Sequence, residues 1–340
     1  MKLSIIDALI LITLSSLLSA CHDGGSSPIF EQEIKITPLK EINLEEHGIL
    51  KPSHLLVLSN SVIVTGNDNI ISVFDRDFTL RFRKGGTGQG PQEFMQIFSI
   101  DSLNDNEICL YDSNLGIVRA MNFKDSTLDM RTLIDGIPFR YQVSPLNDDK
   151  FLSLNIQTDN SYEILDNNGI LIDSLSYWPT KPEKISEFTH HLACTGPACI
   201  SKDRHMAVRS IWANGKIDCF AIDNTGLKHL WNNGFFDMEY DVEHSSVDLP
   251  KSNENTRVGY VYTSFGKNCI LASYSGSLID EGTEIKEIHQ YSLDGKPQIK
   301  YLLEDGIGRF VYDAMNNQII ALSSHNGEKS FLRIYDIGKN

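Results

Sequence analysis

Nine residues, Gly86 to Phe94 (GTGQGPQEF), have the glycine density of a phosphate cradle. A dinucleotide-binding turn needs G-x-G-x-x-G at the mouth of a helix, so that backbone N–H groups face the pyrophosphate. Here the third glycine comes one residue early, Pro91 takes the required position, and no helical pattern follows. A Walker loop needs Gly-Lys-Ser/Thr, which the stretch does not supply. Cys194-Thr195-Gly196-Pro197-Ala198-Cys199 closes a short loop around a Gly-Pro turn, and a local disulfide is expected there. A zinc site at this position would draw on His190 and His191, but it needs further ligands at matching spacing. A serine hydrolase would carry Gly-x-Ser-x-Gly, and neither GSSPI nor SYSGS matches. His205, His229, His244 and His289 are too scattered to assign. What remains is a set of basic and aromatic residues at strand starts: Arg140 and Tyr141 in PFRYQV, His190 and His191 in FTHHLA, Arg257 and Tyr260 in RVGYVY, and Arg309 in IGRFVY. An arginine beside an aromatic ring can recognise an anionic or aromatic group. These seven are the candidate ligand-binding residues, and no catalytic residue is assigned.

The elements that must position them are strands. Short apolar or alternating runs such as HLLVLS, SVIVTG, IISVFD and TLRFRK recur, separated by Asn, Asp and Gly. A turn of one kind returns at Asp75, Asp125, Asp166, Asp223, Asp294 and Asp336. The intervals, by subtraction, are 50, 41, 57, 71 and 42 residues. A period of about 40–50 residues with four short strands per unit marks propeller blades. The longer units would carry insertions around 178–190 or 232–256 and at 277–285. After Asp336 only four residues remain, so the last blade lacks its outer strand. The alternating run EQEIKITPL, with Ile34 and Ile36 on one face, is expected to supply it and cover the open edge. The expected fold is an all-β six-bladed propeller closed by an N-terminal strand, one domain over residues 30–340. In that ring, GTGQGPQEF joins the outer strand of one blade to the inner strand of the next, with Phe94 anchored in the seam.

The first residues read as an address. Leu3 to Leu18 is mostly apolar, interrupted by Asp7, and leads into Leu18-Ser19-Ala20-Cys21. LSAC resembles the bacterial lipobox, which implies a signal peptide over residues 1–20 and a lipid on Cys21. HDGGSSP then begins a flexible polar tether, residues 21–29. The expected location is the outer membrane, through the lipid anchor alone, on its periplasmic or cell-surface face. The formal net charge of −15 argues against nucleic acid as a partner. Cys109 and Cys269 lie in apolar runs and are expected as buried thiols.

The segment FRKGGTGQGPQEFMQIFSIDSLNDNEICLYDSNLGIVRAMNF resembles an NHL-type blade. The C-terminal half is similar to the TolB-like six-bladed propeller lipoproteins of Bacteroidetes, through Gly259-Tyr260, Tyr274-Ser275-Gly276 and the Asp294-Gly295 hairpin. The resemblance implies the fold and an envelope location. Function has to come from the site. Propeller lactonases use a Glu/Asn/Asn/Asp set around the channel, and no local motif selects four such residues here. IDEGTE echoes a sialidase box without its serine or tryptophan. The expectation is therefore a non-catalytic binding or scaffold module for a peptide, glycan or protein partner, with no cofactor. The alternative is a hydrolase or lactonase with calcium or zinc in the central channel.

Overall fold

The computed structural model describes residues 28–123, 129–181, 185–223, 226–244, 248–281, 284–325 and 329–338. The proposed signal peptide, Cys21 and most of the tether lie outside them, as does the Asp125 turn. Two N-terminal strands, β1 (Gln32–Ile36) and β2 (Lys40–Asn43), precede the first blade. Blade I is β3 (Pro52–Val57), β4 (Val62–Gly66), β5 (Ile70–Phe74) and β6 (Leu80–Gly85). Blade II is β7 (Ile97–Asn104), β8 (Glu107–Asp112), β9 (Ile117–Asn122) and β10 (Asp129–Ile134). Blade III is β11 (Gln142–Pro145), β12 (Phe151–Leu154), β13 (Tyr162–Leu165) and β14 (Leu171–Leu175). Helix α1 (Glu187–Ala193) leads into blade IV, which is β15 (Ala198–Ile200), β16 (Met206–Ile211), β17 (Lys216–Asp223) and β18 (Gly226–Gly234). A separate hairpin, β19 (Asp241–Glu243) with β20 (Leu249–Lys251), follows. Blade V is β21 (Tyr260–Phe265), β22 (Cys269–Tyr274), β23 (Ile285–Ser292) and β24 (Pro297–Ile307). Blade VI is β25 (Phe310–Asp313), β26 (Gln318–His325) and β27 (Lys329–Asp336).

Asp75, Asp166, Asp223 and Asp294 each stand where the third strand of a blade turns into its outer strand, and Asp336 ends the third strand of blade VI. The missing outer strand of blade VI is β2. It pairs antiparallel with β27, from Lys40 opposite Ile334 to Asn43 opposite Phe331. The ring is thus closed by an N-terminal strand, but not by the run expected to do it. That run, β1, adds in parallel to β24, with Ile34 opposite Tyr301 and Ile36 opposite Leu303, as a fifth strand of blade V. The alternation of Ile34 and Ile36 records a buried face, and the face lies one blade earlier. Arg76 of blade I and Asp313 of blade VI form an ion pair across the same closing seam.

Core packing runs between blades. The middle strands are buried on both faces, as the consecutive apolar residues Val62, Ile63 and Val64 of β4 demand. Val62, Val64 and Phe74 of blade I meet Ile320, Leu322 and Leu332 of blade VI. Each such side chain contributes about 1.5–3 kcal/mol by leaving water. Phe94 is fully buried between Ile71 and Val73 of blade I and Ile108 and Met121 of blade II. GTGQGPQEF is therefore a seam. Gly85 and Gly86 take φ of 95° and 142°, values that favour glycine. The Asn69 amide donates to the carbonyls of Phe94 and Met95 and accepts from the Ile97 N–H. Asp112 accepts from the Met95 and Gln96 N–H groups.

The connections from outer to inner strands and the turns from second to third strands share one face of the ring. That face, called the rim here, carries α1, the β19–β20 hairpin and a one-turn 3-10 helix at Ile279–Glu281. The hairpin and the 3-10 helix fall within the expected insertions at 232–256 and 277–285, whereas α1 begins inside the one expected at 178–190 and runs past it to Ala193.

Candidate functional site

The six inner strands surround a cavity of about 600 Å3 that reaches the rim. Its wall takes His54 from blade I, Phe98 and Ile100 from blade II, Tyr141 from the entry to blade III, Cys199 from blade IV, Tyr262 from blade V, and Arg309 and Val311 from blade VI. Trp212, in a one-turn 3-10 helix between β16 and β17, overhangs it from the rim. Tyr141 and Phe139 both meet Phe98 edge-on, with centroids 5.6 and 5.7 Å apart. At the lower end, Arg204 in the β15–β16 turn reaches back to blade II. Its guanidinium lies 3.4 Å from the Asp101 carboxylate and donates to the Ser102 carbonyl. These two blades are not neighbours, so the pair ties them to each other near the foot of the channel, and the cavity above it is called the cup here. The Asn147 amide of blade III donates to the Asp203 carbonyl of the same turn.

Most polar groups in the cup are already engaged. Nδ1 of His54 lies 2.9 Å from Thr65 Oγ1, and Nε2 lies 3.1 Å from the Phe98 carbonyl. Burial, helped by the charge of Arg309, drops its pKa to about 3, so the ring is neutral. Gln142 accepts from the Ala198 N–H and donates to the Ala198 carbonyl, joining blades III and IV. Asp101, the acid of the cup wall, is held by Arg204, although burial pushes its carboxyl above the usual carboxylate range. Arg309 differs. Its guanidinium lies 4.8 Å from the centre of the Tyr262 ring, and its Nε is buried with no hydrogen-bond partner. No carboxylate among the described residues pairs with it.

The seven candidates separate. Tyr141 and Arg309 line the cup together. Arg140 does not: it makes a buried ion pair with Glu163 at 2.9 Å. Tyr260 does not either. It is fully buried in the seam of blades IV and V, where its hydroxyl lies 2.8 Å from His289 Nδ1 and also contacts that of Tyr291. Arg257 donates to the Gly276 carbonyl on the rim. His190 and His191 are buried on α1, one hydrogen-bonded to the Pro179 carbonyl at 2.8 Å and the other stacked on Trp178 at 4.2 Å. Burial lowers the pKa of both.

The expected disulfide is not made. Cys194 and Cys199 are both free thiols. Cys194 Sγ faces His190, 3.5 Å from Nε2, whereas Cys199 belongs to the channel wall. The turn between them is held instead by the Ser210 N–H, which donates to the Pro197 carbonyl. Burial pushes both thiols up to about 12. Cys109 is buried and Cys269 half-buried. Among the described residues one set of three metal-ligating side chains converges, Asp159, Glu187 and His191. It lies beside α1 on the rim, outside the cup.

Tyr262, Trp212, Phe98 and His54 carry the cup and escaped the sequence reading. For Tyr262 the cause is a bulge: β21 pairs Tyr260 with Tyr274 and then skips to Thr263 opposite Ala272. Tyr260 and Tyr262 share parity on a regular strand, and the bulge sends one to the seam and the other to the cup.

A family profile described as TolB-like 6-blade propeller-like matches residues 72–315. No curated protein matches the sequence. Among solved structures, a Bacteroides fragilis protein described as exported superposes with a TM-score of 0.52 at 14% identity, covering 91% of this chain and 100% of that one. The β-propeller domain of Cps50 (Swd1) from Myceliophteria thermophila gives 0.50 at 8% identity, covering 89% and 99%. At these identities the likeness is one of fold.

Proposed function

Because this chain belongs to the TolB-like 6-blade propeller-like family, we propose that it is an exported, lipid-anchored envelope protein whose propeller binds a peptide, glycan or protein partner in its central cup, without catalysis. The observation that carries the reading is the cup itself. A cavity of about 600 Å3 built from all six inner strands, with aromatic walls and a rigid frame, is of the size and kind that holds ligands. Insertions gathered around its mouth give a partner further surface. The chemistry of the wall favours holding over turnover: His54 is neutral with both nitrogens engaged, and Asp101 is paired. The anchor rests on Leu18-Ser19-Ala20-Cys21, and the location it implies is the outer membrane.

Capture from solubilised native envelope tests the reading. Val311→Trp fills the cup from blade VI and is expected to abolish capture of the partner while the protein still unfolds in one cooperative transition, at a lowered melting temperature because Val311 also packs on the seam core. Cys21→Ala is expected to release the protein from the membrane and to leave capture intact. Undiminished capture by folded Val311→Trp would show that the partner docks elsewhere.

A further inference from the structure

Arg309 stands apart from the other arginines. Eight of the eleven in the chain pair with a carboxylate. Arg119 and Arg257 donate to the carbonyls of Glu93 and Gly276. Arg309 alone has no polar partner for its guanidinium among the described residues, and its Nε is buried. This happens in a chain with 45 acidic and 30 basic residues, where a carboxylate is the easiest partner to find. A guanidinium whose Nε is shut off from water without an acceptor or counter-charge carries a desolvation cost. The ring of Tyr262 offsets part of that cost. Its two terminal nitrogens, which unlike Nε are not shut off from the cavity, form the fork that binds a carboxylate bidentately. Around it the cup offers hydrogen-bond donors and apolar surface. Tyr141, Tyr262 and Trp212 contribute O–H and N–H groups, and Phe98, Ile100 and Val311 contribute apolar wall.

We propose that the cup takes a carboxylate carried on an aromatic or apolar body, with the carboxylate seated on Arg309. This rests on the cup being the binding site. One free cation matches one negative charge. A dianion would leave a charge uncompensated against an otherwise neutral wall, and a sugar acid would need partners for its hydroxyls where most polar groups of the wall are engaged.

The experiment titrates the full-length protein, solubilised from membranes, with four compounds: N-acetylphenylalanine, its amide, phenyl phosphate and glucuronate. N-acetylphenylalanine is expected to bind at least about tenfold more tightly than its amide, the difference a charged hydrogen-bonded pair makes. It should also surpass phenyl phosphate and glucuronate. Arg309→Ala should erase the preference for the acid over the amide, and Arg309→Lys should retain part of it, because a point charge replaces the fork. If Arg309→Ala does not fold, Arg309→Lys and the loss of preference at high salt carry the test. Equal binding of acid and amide, both lost in Val311→Trp, would overturn the carboxylate assignment and keep the cup. A preference that survives in folded Arg309→Ala, or no binding of N-acetylphenylalanine, would also overturn it. Tighter binding of phenyl phosphate or glucuronate would replace the assigned class.

Discussion

His54 joins blades I and II at the wall of the cup, and it does so as a neutral ring. The sign of its contribution to stability follows. Its folded pKa of about 3 lies below the ordinary 6.5. Above pH 6.5 neither state is protonated and the full stability is present. As pH falls from 6.5 towards 3, the unfolded chain takes up a proton that the folded one refuses, and stability falls by about 1.4 kcal/mol per pH unit. His54→Gln keeps an amide in the wall and removes the titration. Urea unfolding at pH 7 and pH 5 should therefore show a larger drop for the natural protein than for the variant, by about 2 kcal/mol. His190, His191 and His289, also lowered by burial, are common to both proteins and cancel in the difference. Equal drops would mean that His54 is protonated within the fold. At this scale the sequence was half legible. Arg309 and Tyr141 were found because a basic or aromatic residue at a strand start tends to face the channel. Arg140 and Tyr260 were misplaced because strand parity cannot reveal a buried acid such as Glu163 or a bulge such as that of β21.

At the scale of elements, the two N-terminal strands do different work. β1 adds to a blade that already has four strands, so its loss uncovers β24 and exposes Ile36, a change of about 2 kcal/mol. β2 completes a blade that has only three. With Leu44 behind it, it seals the seam against blade I through Leu332 and Ile334. Losing it opens the ring and strips backbone partners from β27. Removing residues 22–38 should thus lower the melting temperature by a few degrees, and removing residues 22–44 should abolish the cooperative transition. Similar melting curves for both would mean that β2 does not close the ring. The periodic turns were readable because every blade needs the same tight reversal before its outer strand. The closing strand was not, because Lys40–Asn43 buries little on its own and reads as polar, whereas the stronger alternation of Ile34 and Ile36 belongs to an edge addition. Gly259 shows a family mark with a physical cause. A Cβ there would lie 2.0 Å from the Gly215 Cα, so the seam between blades IV and V closes only over glycine.

For the whole molecule, the Asp101–Arg204 pair ties together two blades that are not neighbours in the ring. A propeller holds its blades by neighbour contacts, and nothing in that arrangement ties blade II to blade IV. Arg204 does, with its backbone in the left-handed region at φ 64° and its guanidinium on Asp101 and the Ser102 carbonyl. A strained backbone persists only where its surroundings over-determine it. Truncating the arginine leaves Asp101 without its counter-charge, where burial already disfavours the charged form. Arg204→Ala should therefore cost about 3 kcal/mol, the lower end for a broken ion pair because both partners keep some exposure. Replacing both groups, as in Asp101→Leu with Arg204→Met, removes the orphaned charge and should cost less than either single change. The readout peculiar to a cross-channel tie is hydrogen exchange: protection should fall in β7 and β15 together in Arg204→Ala, while the seam of blades V and VI keeps its own. If the loss stays within blade IV, the pair is a local turn contact, and the ring is held by contacts between neighbouring blades alone.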